Sequence, residues 1–378
     1  MSRGRGKKNR SAKGPVGRRD APPRRLPPSD VSQAAEWPLH EPGGMSLAGV
    51  VEAIPGLRDG HRVQDPAAGT VDASVGMSWV TIERFAREKI SPGSRPGRPY
   101  RADAERLTDV QLLDKLRGFG VELDRTGLEG LCQDALSAQE VATQLLDRHL
   151  STAVRRTQES DWVWLAVLTL WQRWWPTKPC LETIDDKIQD GYQRSAQDLG
   201  AATDTWLSAW SDVLHLCDAA GITSIRGFDG QFPMTQSLFN WHQDLEMELG
   251  NAGLDDPAKL RARIAVGDEV LRRFTDCDQL AVQNWRRAIA EAWFWLGDTT
   301  RADQMYRDWL DSDPQWGYGW IGWASGYLPP ARTGAATDYQ RAEDLLRQGH
   351  DINGVRDRDA LAEWLQRTRD DATRARST

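Results

Sequence analysis

Residues 284–328 read NWRRAIAEAWFWLGDTTRADQMYRDWLDSDPQWGYGWIGWASGYL. Within this stretch Ala290 and Ala324 stand 34 residues apart, and so do Trp293 and Tyr327. Gly297-Asp298 marks a turn between two helices. A first unit then has Ala290 and Trp293 on its leading helix, Ala302 and Tyr306 on its second helix, and Pro314 after them. A second unit has Trp320, Ala324 and Tyr327, an insertion around Pro329-Pro330, and then Ala342 and Leu346. The alanines are small where two helices must touch, and the aromatics fill the space beside them. Pro314 is expected to start the next helix, because the first turn needs no amide donor there.

This period and this order of small and large positions resemble the tetratricopeptide (TPR) repeat. Two departures stand out: Arg286 occupies a position where a large aromatic is usual, and the insertion lengthens the second turn. Two units cannot stand alone, since each repeat buries its face on a neighbour. Upstream helices are expected to cap one end, and Val355–Leu365, with Leu361 and Trp364, the other. In a TPR stack the leading helices line a concave groove. Asn284, Arg287, Glu291 and Trp295 recur at i, i+3, i+7 and i+11, opposite the Ala290/Trp293 packing face, and Tyr318 and Ser325 extend the set. One cation, several polar groups and an exposed aromatic suit an extended peptide, with Trp295 as anchor. The plain alternative is a solvated face.

Working outward, helical grammar begins near residue 105. Thr108 with Gln111, and Ser137 with Glu140, fit the spacing of a capping box. Trp162–Trp171 is apolar all round and belongs at the centre of the body. Trp206, Trp210, Val213, Leu214 and Cys217 form one core stripe, and Leu238, Trp241, Leu245 and Leu249 another. No alternating apolar run is long enough to make a strand. The expected architecture is all-α, with a helical-repeat C-terminal part stacked on an α-helical domain. Its divisions are a disordered basic arm over 1–35 and a Pro/Gly-rich, poorly structured region over 36–103. An α-helical domain follows over 104–280, then repeats plus a capping helix over 281–366, and a disordered tail over 367–378. Of the 19 prolines 12 precede residue 104, and 16 of the 18 tryptophans follow residue 160, so the core-forming material lies toward the C-terminus. Met45–Ile54 and Met77–Ile90 are short apolar pieces within the Pro/Gly-rich region; Val80, Phe85, Ala86 and Ile90 fit one amphipathic helix.

Charge divides the chain as well. Residues 1–30 hold ten cations, Arg3, Arg5, Lys7, Lys8, Arg10, Lys13, Arg18, Arg19, Arg24 and Arg25, against Asp20 and Asp30, a net +8 that leaves −15 on the remainder of a chain of net −7. The arm lacks interleaved aromatics, so base stacking is not indicated. Its expected use is sequence-independent neutralisation of phosphates on RNA, the ribosome or DNA; its plain alternative is a solubilising tail. No apolar segment follows the N-terminal charges, and Trp162–Trp171 is about half the length that spans a bilayer. A cytoplasmic chain with no membrane partner is expected.

Residues with metal or catalytic potential are few. His242 and Glu246 stand at i, i+4 beside Asp244 and Glu248, a spacing that lets two ligands address one metal. Glu248 lies at the edge of the apolar stripe, where a buried hydrogen-bonded pair is the expected use. Glu182, Asp185, Asp186 and Asp190 read as an acidic solvated helix start, or else as a cation site. The six histidines (His40, His61, His149, His215, His242, His350) show no HxH or HExxH pattern. No nucleophile elbow or phosphate loop is present. Cys132, Cys180, Cys217 and Cys277 are isolated, small buried thiols by expectation. No cofactor, metal or catalytic residue is expected.

Several long blocks carry a further resemblance: LDKLRGFGVELDR (113–125), SAQEVA (137–142), WLAVLTLWQRWWPTKPCLETIDDKIQDGY (164–192), TQSLFNWHQDLEMELGNAG (235–253) and RADQMYRDWLDSDPQWGYGWIGW (301–323). They resemble bacterial TPR proteins of the group that often carries a SEC-C motif, a Cys-rich zinc element, over roughly 105–365. The zinc element needs a CxCxGSG-like run, and none exists in this chain. The expected function is a non-enzymatic scaffold or adaptor that binds a protein or peptide partner. The alternative is a ribosome- or nucleic-acid-associated factor anchored by the arm, and a metal-dependent enzyme stands behind both.

Overall fold

The computed structural model describes residues 62–65, 69–72, 99, 101–149, 161–232, 234–277, 279–329 and 337–377. The basic arm, Met45–Ile54, Met77–Ile90 and residues 330–336 of the insertion lie outside them. In the region expected to be poorly structured, β1 (Arg62–Asp65) pairs antiparallel with β2 (Gly69–Asp72), with Val63 opposite Val71.

The body is all-α. Its helices are α1 (Arg101–Glu105), α2 (Asp109–Gly118), α3 (Arg125–Cys132), α4 (Ala138–His149), α5 (Asp161–Trp174), α6 (Leu181–Ser195), α7 (Leu199–Ala220) and α8 (Ile225–Gln231). They continue as α9 (Leu238–Ala252), α10 (Pro257–Arg273), α11 (Gln279–Trp295), α12 (Thr299–Ser312), α13 (Gly317–Ser325), α14 (Tyr339–Asp351) and α15 (Arg358–Ser377). The last helix runs past residue 366, so 367–377 are helical where a disordered tail is expected. The extension is polar, held to α14 by an ion pair from Arg369 to Glu343 at 2.8 Å, and apolar periodicity gives no sign of it.

Helices form antiparallel pairs with their sequence neighbours: α6 with α7, α9 with α10, α11 with α12, and α13 with α14. The odd-numbered helices also touch in series, α7 to α9, α9 to α11, α11 to α13 and α13 to α15. They therefore form one continuous layer, and the even-numbered helices return behind it.

The core has three main parts. The first, Ala104 to Cys180, surrounds α5, whose residues Val163–Trp171 are all buried. The all-round apolar helix is thus the centre of this first part and not of the whole body. The second runs from Leu181 to Ala288, so the division expected at residue 280 falls inside a continuous core that includes Trp285 of α11. The third joins Ala290, Tyr306, Ala302, Ala324, Ala342 and Leu361.

Local signals place the helix ends. Thr108 and Gln111 close a full capping box on α2. Gly297, at φ 86°, ends α11 in the left-handed region, and Asp298 accepts from the Arg301 amide at 3.1 Å to start α12. Pro314 does not open α13 as expected. It lies ahead of the Trp316 cap, and its carbonyl accepts from the Trp320 indole at 2.9 Å. Other helices take their N-terminal anion from a distant element. Glu182 accepts from Ser137 Oγ at 2.8 Å and from the amides of Ala138 and Gln139 at 3.0 and 2.8 Å, capping α4. Ser137 Oγ accepts from the Glu140 amide at 3.4 Å, one half of the expected second capping box. The Glu140 carboxylate, however, reaches the Leu136 amide at 3.3 Å and not that of Ser137, and Glu182 supplies the rest of the cap. Asp276 serves α8 and Asp229 serves α9 in the same manner.

The α6–α7 pair is set by one close approach. Trp206 Nε1 donates to the Ile188 carbonyl at 2.8 Å, and its ring lies where a side chain at Gly191 would stand. Gly191→Ala forces the buried indole out of place and is expected to cost about 1–3 kcal/mol or more. Chemical denaturation of the variant measures it; wild-type stability would show that α6 and α7 can separate without loss.

Candidate functional site

The layer of odd-numbered helices turns one face away from its even-numbered partners. Along α9 this face carries Phe239, Gln243 and Met247, spaced by four and set opposite the buried Trp241, Leu245 and Leu249. Along α11 it carries Leu280, Asn284, Arg287 and Glu291, and along α13 Tyr318; Gly322, one turn further on, is buried between Arg287 and Tyr306 of α12. A pocket of 180 Å³ opens between α9 and α11, lined by Gln243, Asp244, Glu246, Met247, Ala281, Asn284 and Trp285.

A buried polar network forms its floor. Trp285 Nε1 donates to His242 Nδ1 at 3.1 Å, and the two rings stack at 6.0 Å. Accepting at Nδ1 makes this imidazole the neutral Nε2–H tautomer. Arg263 of α10, 3% exposed, donates from Nε to Glu246 of α9 at 3.0 Å and from Nη1 to Glu291 of α11 at 2.8 Å. Burial opposes its charge, but Glu246 and then Glu291 hold its pKa above the ordinary arginine value. Gly250 makes room for it, since a Cβ there would stand 3.0 Å from Cζ of Arg263. Glu248, buried at the edge of its stripe as expected, accepts from Asn251 Nδ2 at 3.0 Å.

The groove residues expected from sequence divide into two groups. Asn284 lines the pocket. Arg287 lays its stem against α13, where a Cβ at Gly322 would stand 3.0 Å from its Cγ and Cδ. Tyr318 is exposed. Glu291, by contrast, is tied to Arg263, and Ser325 Oγ donates to the Gly322 carbonyl at 2.8 Å. Trp295 is not an exposed anchor: it is half-buried, with the Arg263 guanidinium 5.6 Å from its ring centre. Gln243, Asp244 and Met247 were not among the expected groove residues. Their signal is the i, i+4 spacing of polar and flexible side chains opposite the α9 core stripe.

Of the repeat positions, Ala290, Ala302, Tyr306, Ala324 and Ala342 are fully buried, and Trp320 nearly so. Trp293 and Tyr327 pack half-buried on the same cluster. Arg301 covers Trp293 at 3.9 Å, and Asp303 accepts from the Trp323 indole at 2.5 Å and the Tyr327 hydroxyl at 2.7 Å. Burial, and then Asp303, pushes the Tyr327 hydroxyl up to about 12. Trp285, one position before Arg286, is buried in the second core, while the Arg286 guanidinium lies 5.7 Å from the Trp309 ring centre.

The acidic stretch at the start of α6 is not a solvated face. Glu182 caps α4, Asp185 accepts from the Thr235 amide and hydroxyl at 2.9 and 2.7 Å, and Asp186 pairs with Arg101. Among the described residues no group of three His, Cys, Asp or Glu could hold a metal ion. The four cysteines are free thiols, and burial pushes Cys132 up to about 12 and Cys217 up to about 11. No described helix is long and apolar enough to cross a membrane. No protein-family model, curated protein or solved structure matches this chain.

Arg263→Ala leaves Glu246 charged and buried with its main partner gone, and is expected to cost about 3–5 kcal/mol in urea denaturation. The double variant Arg263→Met, Glu246→Leu should recover most of this loss. A single variant as stable as wild type would show that the carboxylate finds water when the arginine is removed.

Proposed function

We propose that the chain is a TPR-like, non-enzymatic scaffold that binds a peptide or protein segment along the exposed face of its odd-numbered helices. The observation that carries this reading is the serial contact of α7, α9, α11, α13 and α15. It supports a single trough crossing several repeats, with Asn284, Arg287, Gln243 and Tyr318 offered to a ligand. The small-to-large order at Ala290, Trp293, Ala302 and Tyr306, and the Gly297-Asp298 turn, agree with the repeat type. The resemblance to bacterial TPR proteins of the SEC-C-associated group adds to it, without the zinc element.

A second reading rests on the +8 charge of residues 1–30 set against −15 on the rest. An acidic body repels phosphates, so attraction to RNA would have to be local to the arm. With about six of the ten cations on phosphates, the log–log salt slope for single-stranded RNA would be near −4.

One set of pull-downs separates the two, using the intact chain, a chain starting at residue 31, and the full chain with Asn284→Arg. On the scaffold reading a protein partner is retained without the arm and lost with Asn284→Arg. Loss of all partners with the arm, together with salt-sensitive RNA binding of the intact chain, would transfer the function to residues 1–30.

A further inference from the structure

Four large apolar side chains are exposed among the described residues: Val110, Phe239, Leu280 and Tyr318. The last three are each the second residue of α9, α11 and α13, the three successive helices of the exposed layer. These helices run parallel, because each is followed by an antiparallel return. Phe239 precedes Gln243 by one turn, Leu280 precedes Asn284, and Tyr318 precedes Gly322, which is buried where α13 packs on Arg287 of α11. The apolar residues therefore continue the face of the pocket toward the helix N-termini and form a row across it. With helix axes about 8–10 Å apart, the row spans about 20 Å, the reach of about six extended residues.

The pocket behind this row differs in chemistry. At 180 Å³ it is smaller than the ~300–1,000 Å³ typical of small-molecule sites, and it suits one side chain. Asp244 and Glu246 line it, with Glu291 beyond, against Arg263 and Arg287, so carboxylates outnumber guanidiniums on this face. Met247 and Trp285 offer apolar walls to an aliphatic stem, and Gln243 and Asn284 offer amides. The Asp244 carboxylate accepts from the Tyr192 hydroxyl at 2.5 Å, and a carboxylate takes more than one donor.

We infer that this face selects a basic-apolar peptide: apolar or aromatic side chains rest on Phe239, Leu280 and Tyr318, and a lysine or arginine enters the pocket between α9 and α11. The inference rests on the groove reading above and gives that groove its ligand class. The charge of the body favours the same sign of partner, since residues 31–378 carry −15. An acidic peptide would meet repulsion from both.

The test is selection from a random dodecapeptide library displayed on phage, panned against the full chain. Affinities of the selected peptides are then measured by fluorescence anisotropy. The expected peptides carry a lysine or arginine within a few residues of an apolar or aromatic pair. Leu280→Asp should weaken them at least tenfold, and Asp244→Asn, or glutamine in place of the peptide's basic residue, by about as much. Val110→Asp, on α2, reports any general effect of a new surface charge and should leave affinity unchanged. Selected peptides that are acidic or uncharged, yet lose binding with Leu280→Asp, overturn the ligand class and leave the groove standing. Peptides indifferent to Leu280→Asp and Asn284→Arg, or no enrichment at all, overturn the groove and the inference together.

Discussion

The guanidinium of Arg263 is shared between Glu246 and Glu291, carboxylates on two helices that are not sequence neighbours. Taking such a charge out of water costs several kcal/mol unless its partners meet it with good geometry. Both carboxylates must therefore stay in place, and that fixes the height of α9 against α11 with α10 behind them. The Trp285–His242 hydrogen bond and the pocket both lie on this seam. A slip of one turn between the two helices would break the ion network, strand an indole and close the pocket at once. The polar floor thus supplies register, while the aromatic clusters on either side supply the burial.

Signals confined to one turn were legible in the sequence. Thr108 with Gln111 and the Gly297-Asp298 turn depend on neighbours a few positions away and form as their spacing implies; Ala290, Ala302, Ala324 and Ala342 are buried. Long-range pairings were not legible. Glu182 and Asp185 read as an exposed acidic start because nothing nearby reveals that Ser137 and Thr235 will take up their oxygens. Trp295 read as an exposed aromatic because periodicity gives a face but not what a neighbouring helix projects across it. The guanidinium comes from residue 263, in another helix.

The candidate face was legible in part for the same reason. Asn284, Arg287 and Tyr318 follow from the repeat pattern on α11 and α13. Gln243, Asp244 and Met247 belong to α9, outside the two recognised units, and only the contact of α9 with α11 shows that it continues their layer. Sequence marks a repeat where its small residues are regular. The face can continue onto a helix whose own text is irregular.

The last helix packs its first half on the third core through Ala360, Leu361, Trp364 and Leu365, but beyond them only Thr368 is buried. Its outer half is tied to α14 by the Arg369–Glu343 pair, while Arg374–Asp371 lies within the helix itself; such partly exposed contacts are of small net worth. A terminal helix has a neighbour on one side only, so its loosely packed end opens before the interior does. Amide exchange would then be graded along the layer, fastest beyond residue 368 and slowest around the tryptophans of α7 and α9. Raising ionic strength would steepen that gradient from one end alone, and the molecule would lose order by peeling from its C-terminus while its interior stays closed.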